Sequence, residues 1–231
     1  MLLSISFYMM ITTRYTHALG DYVLEFIGLK SWTGEYSGVH LTIFYFSILV
    51  ILGLYLVRKY AIGGLGIRTR NVIFLIIAFI TTFAISTNAV VISIKRHSNG
   101  LLSVGYNSKN SKMDYKSEAV KYTEFNAEIQ VKNYASKSKE FYLTIDSPFY
   151  RREGIEHIDI FTRDGNRAIF KLGSDETKTF KINLDEYMMK GGRLSSNGSG
   201  SGIIDEIILT DMQGNAIRLD DDNFFGIEIS K

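Results

Sequence analysis

The 231-residue sequence contains no cysteine and only one proline. Without cysteine the chain cannot form disulfides, thiolate zinc sites, iron–sulfur clusters or a cysteine nucleophile. It also lacks an excess of basic residues, since 26 Lys and Arg stand against 24 Asp and Glu. Nucleic-acid-binding proteins need such an excess to attract phosphate. We therefore expect neither a disulfide-stapled domain nor a nucleic-acid partner.

The balanced total charge hides two unlike parts of the chain. Residues 1–97 hold eight Lys and Arg and three Asp and Glu, a balance of +5, whereas residues 98–231 hold eighteen and twenty-one, a balance of −3. The abundance of Lys, Asn, Ile and Tyr is typical of an AT-rich genome and indicates a Gram-positive bacterium. A basic, apolar first part and a weakly acidic second part indicate a membrane anchor that carries a water-exposed domain.

Two long uncharged runs predict transmembrane helices over residues 41–57 and 72–94. The runs read LTIFYFSILVILGLYLV and VIFLIIAFITTFAISTNAVVISI. A hydrocarbon core about 30 Å thick needs roughly 20 helical residues to cross it. Helices that are apolar on every face are typical of membrane spans. The sequence therefore predicts an integral membrane protein whose first partner is the lipid bilayer.

The loop over residues 58–71 sets the predicted orientation in the cell membrane. It contains four basic residues and no acidic one, namely Arg58, Lys59, Arg68 and Arg70. Short loops rich in Lys and Arg stay on the cytoplasmic side. Everything after the second span is therefore predicted to lie outside the cytoplasm.

Residues 1–40 are predicted to form an amphipathic segment at the outer membrane interface. Within residues 18–32 one helical side is apolar, and it carries Leu19, Tyr22, Val23, Phe26 and Ile27. Trp32 and Tyr36 are expected at the depth of the lipid headgroups, where such amphipathic rings concentrate. A third span or a re-entrant segment is the alternative for this stretch.

The rest of the chain predicts a tether over residues 95–119 and an antiparallel β-sandwich over residues 120–231. From Phe125 to Val131 every second residue is apolar, and seven further short segments show the same alternation. Period two is the pattern of strands with one buried face and one wet face. The stretch Asp164-Gly165-Asn166 predicts a hairpin turn, and residues 191–202 (GGRLSSNGSGSG) predict a mobile loop.

Two motifs give residues 120–230 a resemblance to a known class of domain. The first is Ile129-x-Val131-Lys132-Asn133, followed by a polar turn and Phe141-x-Leu143-x-Ile145; the second is Leu172-Gly173-Ser174-Asp175-Glu176-Thr177. Together they resemble bacterial immunoglobulin-like β-sandwich domains, in which a strand ends in Asn and a Gly-x-x-Glu-Thr turn starts a later strand. The resemblance implies an immunoglobulin-like fold and a binding role, and it carries no functional residue.

The few candidate chemical groups lie in the predicted sandwich. His157 and Asp159 share a strand face, but no nucleophile motif accompanies them. The acidic run Asp220, Asp221 and Asp222, together with Asp211, is a calcium candidate, with a solvated acidic turn as the alternative. We expect no catalytic residue and no cofactor.

The sequence therefore predicts a non-enzymatic, membrane-anchored binding or accessory subunit. Its sandwich would contact another membrane protein or a cell-surface component, and exposed strand edges are candidate contact surfaces. One alternative is a sensor that relays an outside signal through the helix pair. A second alternative is a hydrolase that acts on cell-wall polymer.

Overall fold

The computed structural model describes residues 1–11, 18–34, 38–146, 157–192, 197–220 and 223–229. The chain divides into two compact units, Met1–Val91 and Ile92–Lys231. Within the described residues the first unit is helical and the second unit is built mainly from β-strands.

The helical unit contains two short and two long helices. The short ones are α1 (Leu2–Met9) and α2 (Leu19–Phe26); the long ones are α3 (Leu41–Leu56), which continues as a π-helical segment over Val57–Ile62, and α4 (Thr69–His97). Two stretches are long and apolar enough to cross a membrane: Leu41–Ile62, with 22 residues, and Thr69–His97, with 29. The two predicted apolar helices are thus confirmed as helices.

The long helices leave their apolar side chains largely uncovered by protein. Ile51 is 68% exposed and Phe74 is 70% exposed. Soluble proteins rarely expose apolar surface on this scale. The side chains of α2 show the same arrangement, since Tyr22, Val23 and Phe26 are exposed. The exposed side of α2 is apolar, as is typical of an amphipathic helix, and its position at a membrane stays a prediction.

Small residues allow α1 and α2 to lie close to α3. A side chain at Gly53 of α3 would approach the backbone of Leu3 to about 3 Å, and one at Gly20 of α2 would overlap Thr42 and Phe46 of α3. Close backbone approach through glycine is the usual way in which helices associate in membranes. Tyr8 of α1 also makes an edge-to-face contact with Phe83 of α4, with ring centroids 4.8 Å apart.

The β unit consists of two antiparallel sheets that form a sandwich-like arrangement. The four-stranded sheet has the order β6-β2-β1-β8, and the larger sheet has the order β11-β10-β9-β3-β4-β7 with β5 paired to β3. The strands are β1 (Val104–Glu118), β2 (Lys121–Asn133), β3 (Lys139–Asp146), β4 (His157–Thr162), β5 (Ile169–Leu172), β6 (Thr177–Asn183), β7 (Tyr187–Gly191), β8 (Asn197–Ile203), β9 (Glu206–Thr210), β10 (Ala216–Asp220) and β11 (Ile227–Ile229).

Alternate residues of these strands build the core, as the period-two pattern predicts. Phe125, Ala127, Ile129 and Val131 of β2 are buried, and their neighbours Asn126, Glu128, Gln130 and Lys132 are not. The inward residues of β3, β4, β9 and β10 complete one contiguous cluster, which includes Phe141, Leu143, Ile158, Ile160, Ile207, Leu209, Ile217 and Leu219.

The predicted tether over residues 95–119 differs from the structure. Lys95 to His97 end α4, Gly100–Ser103 form a short 3₁₀ helix, and β1 occupies residues 104–118 in the middle of its sheet. The sequence pattern does not predict this strand, because several of its buried positions are serines instead of apolar residues. One of them is Ser111, whose hydroxyl accepts a hydrogen bond from the main-chain amide of Gln130 at 3.0 Å.

The predicted mobile loop over residues 191–202 also contains a strand. Residues 197–203 form β8, which pairs with the second half of β1. Glycine and serine have low strand propensity, so the pairing with β1 decides the structure of this segment. The two strands that the sequence does not predict, β1 and β8, both belong to the four-stranded sheet.

Candidate interaction face

The outer surface of the four-stranded sheet is polar and satisfies its own charges. Lys116 lies 2.7 Å from Glu124, and Lys112 lies 3.4 Å from Glu128. Gln130 donates a hydrogen bond to the Thr179 hydroxyl at 3.3 Å. One exposed apolar residue, Ile203, lies opposite Lys112 at the end of β8. Charged pairs along the strands are nevertheless typical of a face that stays in water.

The outer surface of the larger sheet carries apolar and aromatic side chains instead. Tyr142, Phe161 and Ile208 are half-buried, and Ile169, which lies opposite Tyr142, is 56% exposed. These residues alternate with the buried ones along their strands, so they point away from the core. Further exposed apolar residues on the same sheet are Met188, Ile227 and Ile229.

A hydrogen-bonded group around Arg167 occupies the centre of this surface. The Arg167 guanidinium donates to the Thr144 hydroxyl at 2.9 Å and to the Asp159 carboxylate at 2.7 Å. The Thr144 hydroxyl donates to the same carboxylate at 2.7 Å. The guanidinium also lies 5.2 Å from the centre of the Tyr142 ring. We call the outer surface of the larger sheet, with Arg167 at its centre, the Arg167 face.

Two polar atoms associated with the Arg167 face are buried and have no hydrogen-bond partner among the described residues: Nδ1 of His157 and Nε of Arg218. Glu206 approaches Arg218 Nε only to 3.8 Å. Buried polar atoms without partners are rare in folded proteins, and a ligand group is one way in which they become satisfied.

The structure does not combine His157 and Asp159 into a catalytic pair. The Asp159 carboxylate is bound by Thr144 and Arg167, and His157 Nδ1 has no partner within the described part of the chain. A base–acid pair for a serine nucleophile needs a direct hydrogen bond between the two side chains. Both side chains alternate with the buried Ile158 and Ile160 along β4, so they belong to the Arg167 face.

The calcium candidates Asp211 and Asp220 lie at opposite ends of a hairpin. Asp220 ends β10 opposite Glu206, whereas Asp211 begins the turn between β9 and β10, which separates them by roughly 15 Å at 3.3 Å per residue. Asp221 and Asp222 lie outside the described residues. Within the described residues no three His, Cys, Asp or Glu side chains converge on a metal position.

Asp211 instead stabilises its own turn. Its carboxylate accepts hydrogen bonds from the Gln213 amide, the Asn215 amide and the Asn215 side chain, each at 2.8 Å. Burial alone would raise the pKa of Asp211, but hydrogen bonds from Asn215, Gln213 and Gly214 outweigh it and lower the pKa below its ordinary value.

The helical unit contains a buried polar cluster that the sequence reading missed. Asp21 of α2 is fully buried and accepts hydrogen bonds from the Thr42 hydroxyl and from Trp32 Nε1, the latter at 3.4 Å. His40 Nε2 lies 2.6 Å from the same carboxylate, and the His40 and Trp32 rings stack 4.2 Å apart. We call these four residues the Asp21 cluster. Because these four residues are spread over positions 21–42, no local sequence motif reveals the cluster.

The remaining predicted residues occupy the following places. Trp32, predicted at headgroup depth, is half-buried in the Asp21 cluster, and Tyr36 lies outside the described residues. Arg58 and Lys59 belong to the π-helical end of α3; Arg68 precedes α4 and Arg70 belongs to its first turn. All four of these basic residues are exposed. Their orientation across a membrane stays a prediction.

Comparisons with protein-family models, with curated proteins and with solved structures found no match to this chain.

Proposed function

We propose that this chain is a non-catalytic, membrane-anchored binding or accessory protein. Its long apolar helices cross the cell membrane, its β unit lies outside the cytoplasm, and the Arg167 face binds another membrane or cell-surface protein. The observation that carries the proposal is the difference between the two outer sheet surfaces. One is charged and internally paired, whereas the other combines exposed apolar side chains with a fixed arginine.

The composition of the Arg167 face suits a protein partner. Tyrosine and arginine are enriched among the residues that contribute most to protein–protein binding, and charged residues surround apolar ones in such interfaces. Arg167 is already held by Thr144 and Asp159. A side chain that is ordered before binding loses less conformational entropy on association. The unpaired nitrogens of His157 and Arg218 add two polar atoms that a partner can satisfy.

The motifs that resemble immunoglobulin-like domains support the same role. The side-chain amide of Asn133, at the end of β2, donates to the Gly173 carbonyl at 2.8 Å. The main-chain amide of the same residue donates to the Glu176 carbonyl at 2.9 Å. The Asn motif and the Gly-x-x-Glu-Thr turn therefore stabilise each other. We propose an immunoglobulin-like architecture for the β unit on this basis, with the fold serving as a scaffold for the binding face.

Co-purification tests the proposal. The tagged full-length protein is extracted from its native membrane in a mild detergent, and the proteins that remain bound are identified and quantified. We expect a stoichiometric membrane or cell-surface protein with the wild type and its loss from the Ile169→Lys variant, which places a charge on the Arg167 face. The matched control is Thr179→Lys on the outer surface of the four-stranded sheet, which should retain the partner.

Two results would contradict this function. If the wild-type protein is recovered without any stoichiometric partner, the accessory role is wrong. If Thr179→Lys loses the partner and Ile169→Lys keeps it, the binding face is on the other sheet. Comparison of expression and thermal unfolding of the two variants separates lost binding from lost folding.

A second candidate function is a sensor that passes partner binding through α4. It is favoured by one observation, because α4 ends inside the second compact unit, where Lys95 bonds to Phe224 and Arg96 bonds to Asp175. A sensor predicts that partner binding changes tryptic cleavage of the loop near Arg58 and Arg68 in inside-out vesicles. Unchanged cleavage on partner binding would favour the accessory role.

A further inference from the structure

Strand β8 is an unusual sheet edge. It ends the four-stranded sheet, and its seven residues, Asn197–Ile203, include no charged residue and no proline. The other sheet edges carry charge: β6 contains Lys178 and Lys181, β7 contains Lys190 and β11 contains Glu228. Charged residues on edge strands prevent pairing with other chains. The edge of β8 lacks this protection along its whole length.

We propose that β8 pairs with β8 of a second copy of this chain. The two strands run antiparallel, with Gly200 on the two-fold axis, and the two four-stranded sheets join into one sheet of eight strands. Main-chain hydrogen bonds supply the attraction, as in other cases of strand addition. An interface formed by the same segment on both copies closes with two-fold symmetry. The contact goes beyond the proposed function, because it uses a different sheet from the Arg167 face.

The sequence of β8 is compatible with this pairing. When residues at equal distances from Gly200 face each other, Ser199 lies opposite Ser201 of the second copy and Gly198 lies opposite Gly202. Small side chains therefore meet small side chains, and none of these four positions crowds the new ladder. Asn197 and Ile203 face each other at the two ends.

Charges on the neighbouring strand β1 favour the same register. Within one copy Asp114 lies opposite Ser201, and Lys116 lies opposite Ser199. In the symmetric dimer one cross-strand row therefore runs from Asp114 through Ser201 and the Ser199 of the second copy to its Lys116. The two charges of a row are three strand spacings of about 4.8 Å apart, so opposite charges attract and like charges repel mainly at low ionic strength, where screening is weak.

The outer rows repeat this complementarity. Lys112 lies opposite Ile203, and Glu118 lies opposite Asn197, so the row that starts at Lys112 of one copy ends at Glu118 of the other. All of these charged side chains belong to exposed residues on the same sheet surface. Each of the four rows in the symmetric dimer joins an acidic residue to a basic one.

Other registers lose the complementarity. A shift by two residues places Ser201 opposite Ser201, or Ser199 opposite Ser199, and so aligns Asp114 with Asp114 or Lys116 with Lys116. A shift by one residue turns the core side of one sheet to the outer side of the other. The register centred on Gly200 therefore combines matched charges with matched sheet surfaces.

Disulfide cross-linking of the full-length protein tests the pairing, because the natural chain is free of cysteine. Two variants, Ser199→Cys and Ser201→Cys, are given different tags and are co-expressed in the membrane. Residues opposite each other on antiparallel strands have Cα atoms about 4.5–5.5 Å apart, which suits a disulfide. We expect the mixed pair to cross-link on mild oxidation at least fivefold more than either variant expressed alone.

Each other outcome of this experiment overturns the proposal. Cross-linking of Ser201→Cys or Ser199→Cys with itself would place the strands in a shifted register. A cross-link to a different protein would show that another chain occupies the edge. The absence of any cross-link, with both cysteines accessible to a thiol reagent, would show that β8 stays unpaired.

A charge exchange tests the electrostatic part. In the cross-linking pair, Lys116→Asp aligns acidic residues in both central rows, and we expect the cross-linked yield to fall at least threefold at low ionic strength, where charges this far apart are least screened. Combining it with Asp114→Lys restores one basic and one acidic residue in each row, and the yield should recover. The combined variant still lacks the Lys116–Glu124 pair, so recovery cannot come from repair of that contact. An unchanged cross-linked yield in both variants would show that these charges do not select the register.

Discussion

The ammonium group of Lys95 donates hydrogen bonds to the carbonyl oxygens of Phe224, at 2.7 Å, and of Phe225, at 3.2 Å. It also lies 5.0 Å from the centre of the Phe224 ring, and the whole residue is buried. Lys95 belongs to the last turn of α4, whereas Phe224 lies between β10 and β11. The last turn of α4 is therefore fixed within the second compact unit by a buried lysine, at the position where the sequence predicts a tether.

Replacing Lys95 tests this anchorage. Lys95→Met keeps the apolar stem but removes the donor, so we expect the β unit to lose about 1.5–3 kcal/mol of unfolding free energy, the contribution of a hydrogen bond to a charged group. The measurement is chemical unfolding of the full-length protein in detergent. Arg96→Ala is the control, because its 3.3 Å pair with Asp175 is exposed on both sides and should contribute below about 1 kcal/mol. Equal effects of the two substitutions would contradict the anchorage.

The Asp21 cluster should stabilise the helical unit. Asp21→Ala leaves Thr42, Trp32 and His40 without their shared acceptor, which we expect to cost about 1–3 kcal/mol for each donor left buried and unpaired. Trp32 is the only tryptophan in the chain, so its fluorescence reports unfolding at this site directly. The exposed α2 residue Val23 provides the control, and Val23→Ala should leave the transition within a degree or two of the wild type. An unchanged Trp32 transition in Asp21→Ala would show that the cluster is not stabilising.

Asn133 should be essential for the β unit. It is fully buried, and its side chain donates to the carbonyls of Lys137 and Gly173, both at 2.8 Å, and accepts from the Ala135 amide at 3.0 Å. Asn133→Ala leaves these three groups without their partner, and we expect a loss of at least roughly 2 kcal/mol of unfolding free energy. The exposed neighbour Lys137 serves as control, since Lys137→Ala keeps its carbonyl. A loss below 1 kcal/mol for Asn133→Ala would contradict the structure of this turn.

The lowered pKa of Asp211 predicts a dependence of stability on acid. Because its folded pKa lies below the unfolded value of about 3.9, the ionised carboxylate stabilises the fold fully above that value. The contribution disappears as the pH falls from about 4 through the folded pKa. The difference in melting temperature between wild type and Asp211→Asn should therefore shrink below pH 4. A difference that stays constant from pH 6 to pH 3 would exclude a titrating Asp211.

The sequence predicts those elements whose residues carry their own local signal. Runs such as residues 72–94 are apolar for the length of a membrane span, and β2 alternates apolar and polar residues without interruption. β1 and β8 were missed because Ser and Gly occupy positions where strand patterns need Val or Ile. Their structure depends on pairing with each other and with β2, which is a long-range contact.

The candidate sites follow the same division. The sequence marks Asp220 and Asp211 as acidic but cannot place them at opposite ends of a hairpin. It also cannot show that Arg167 approaches Asp159 and Thr144, because these residues come from different strands and a turn. Residue types are readable from the sequence, whereas the convergence of side chains depends on strand order and register.

Cysteine labelling in intact cells measures directly whether the β unit lies outside the cytoplasm. Lys181→Cys introduces a thiol on the outer surface of the four-stranded sheet, where the Lys181 side chain is 76% exposed. Leu65→Cys introduces one in the turn between α3 and α4, where Leu65 is 76% exposed. We predict that a membrane-impermeant maleimide labels Lys181→Cys at once and labels Leu65→Cys only after the cells are permeabilised. Labelling of Leu65→Cys alone in intact cells would place the β unit in the cytoplasm and contradict the account.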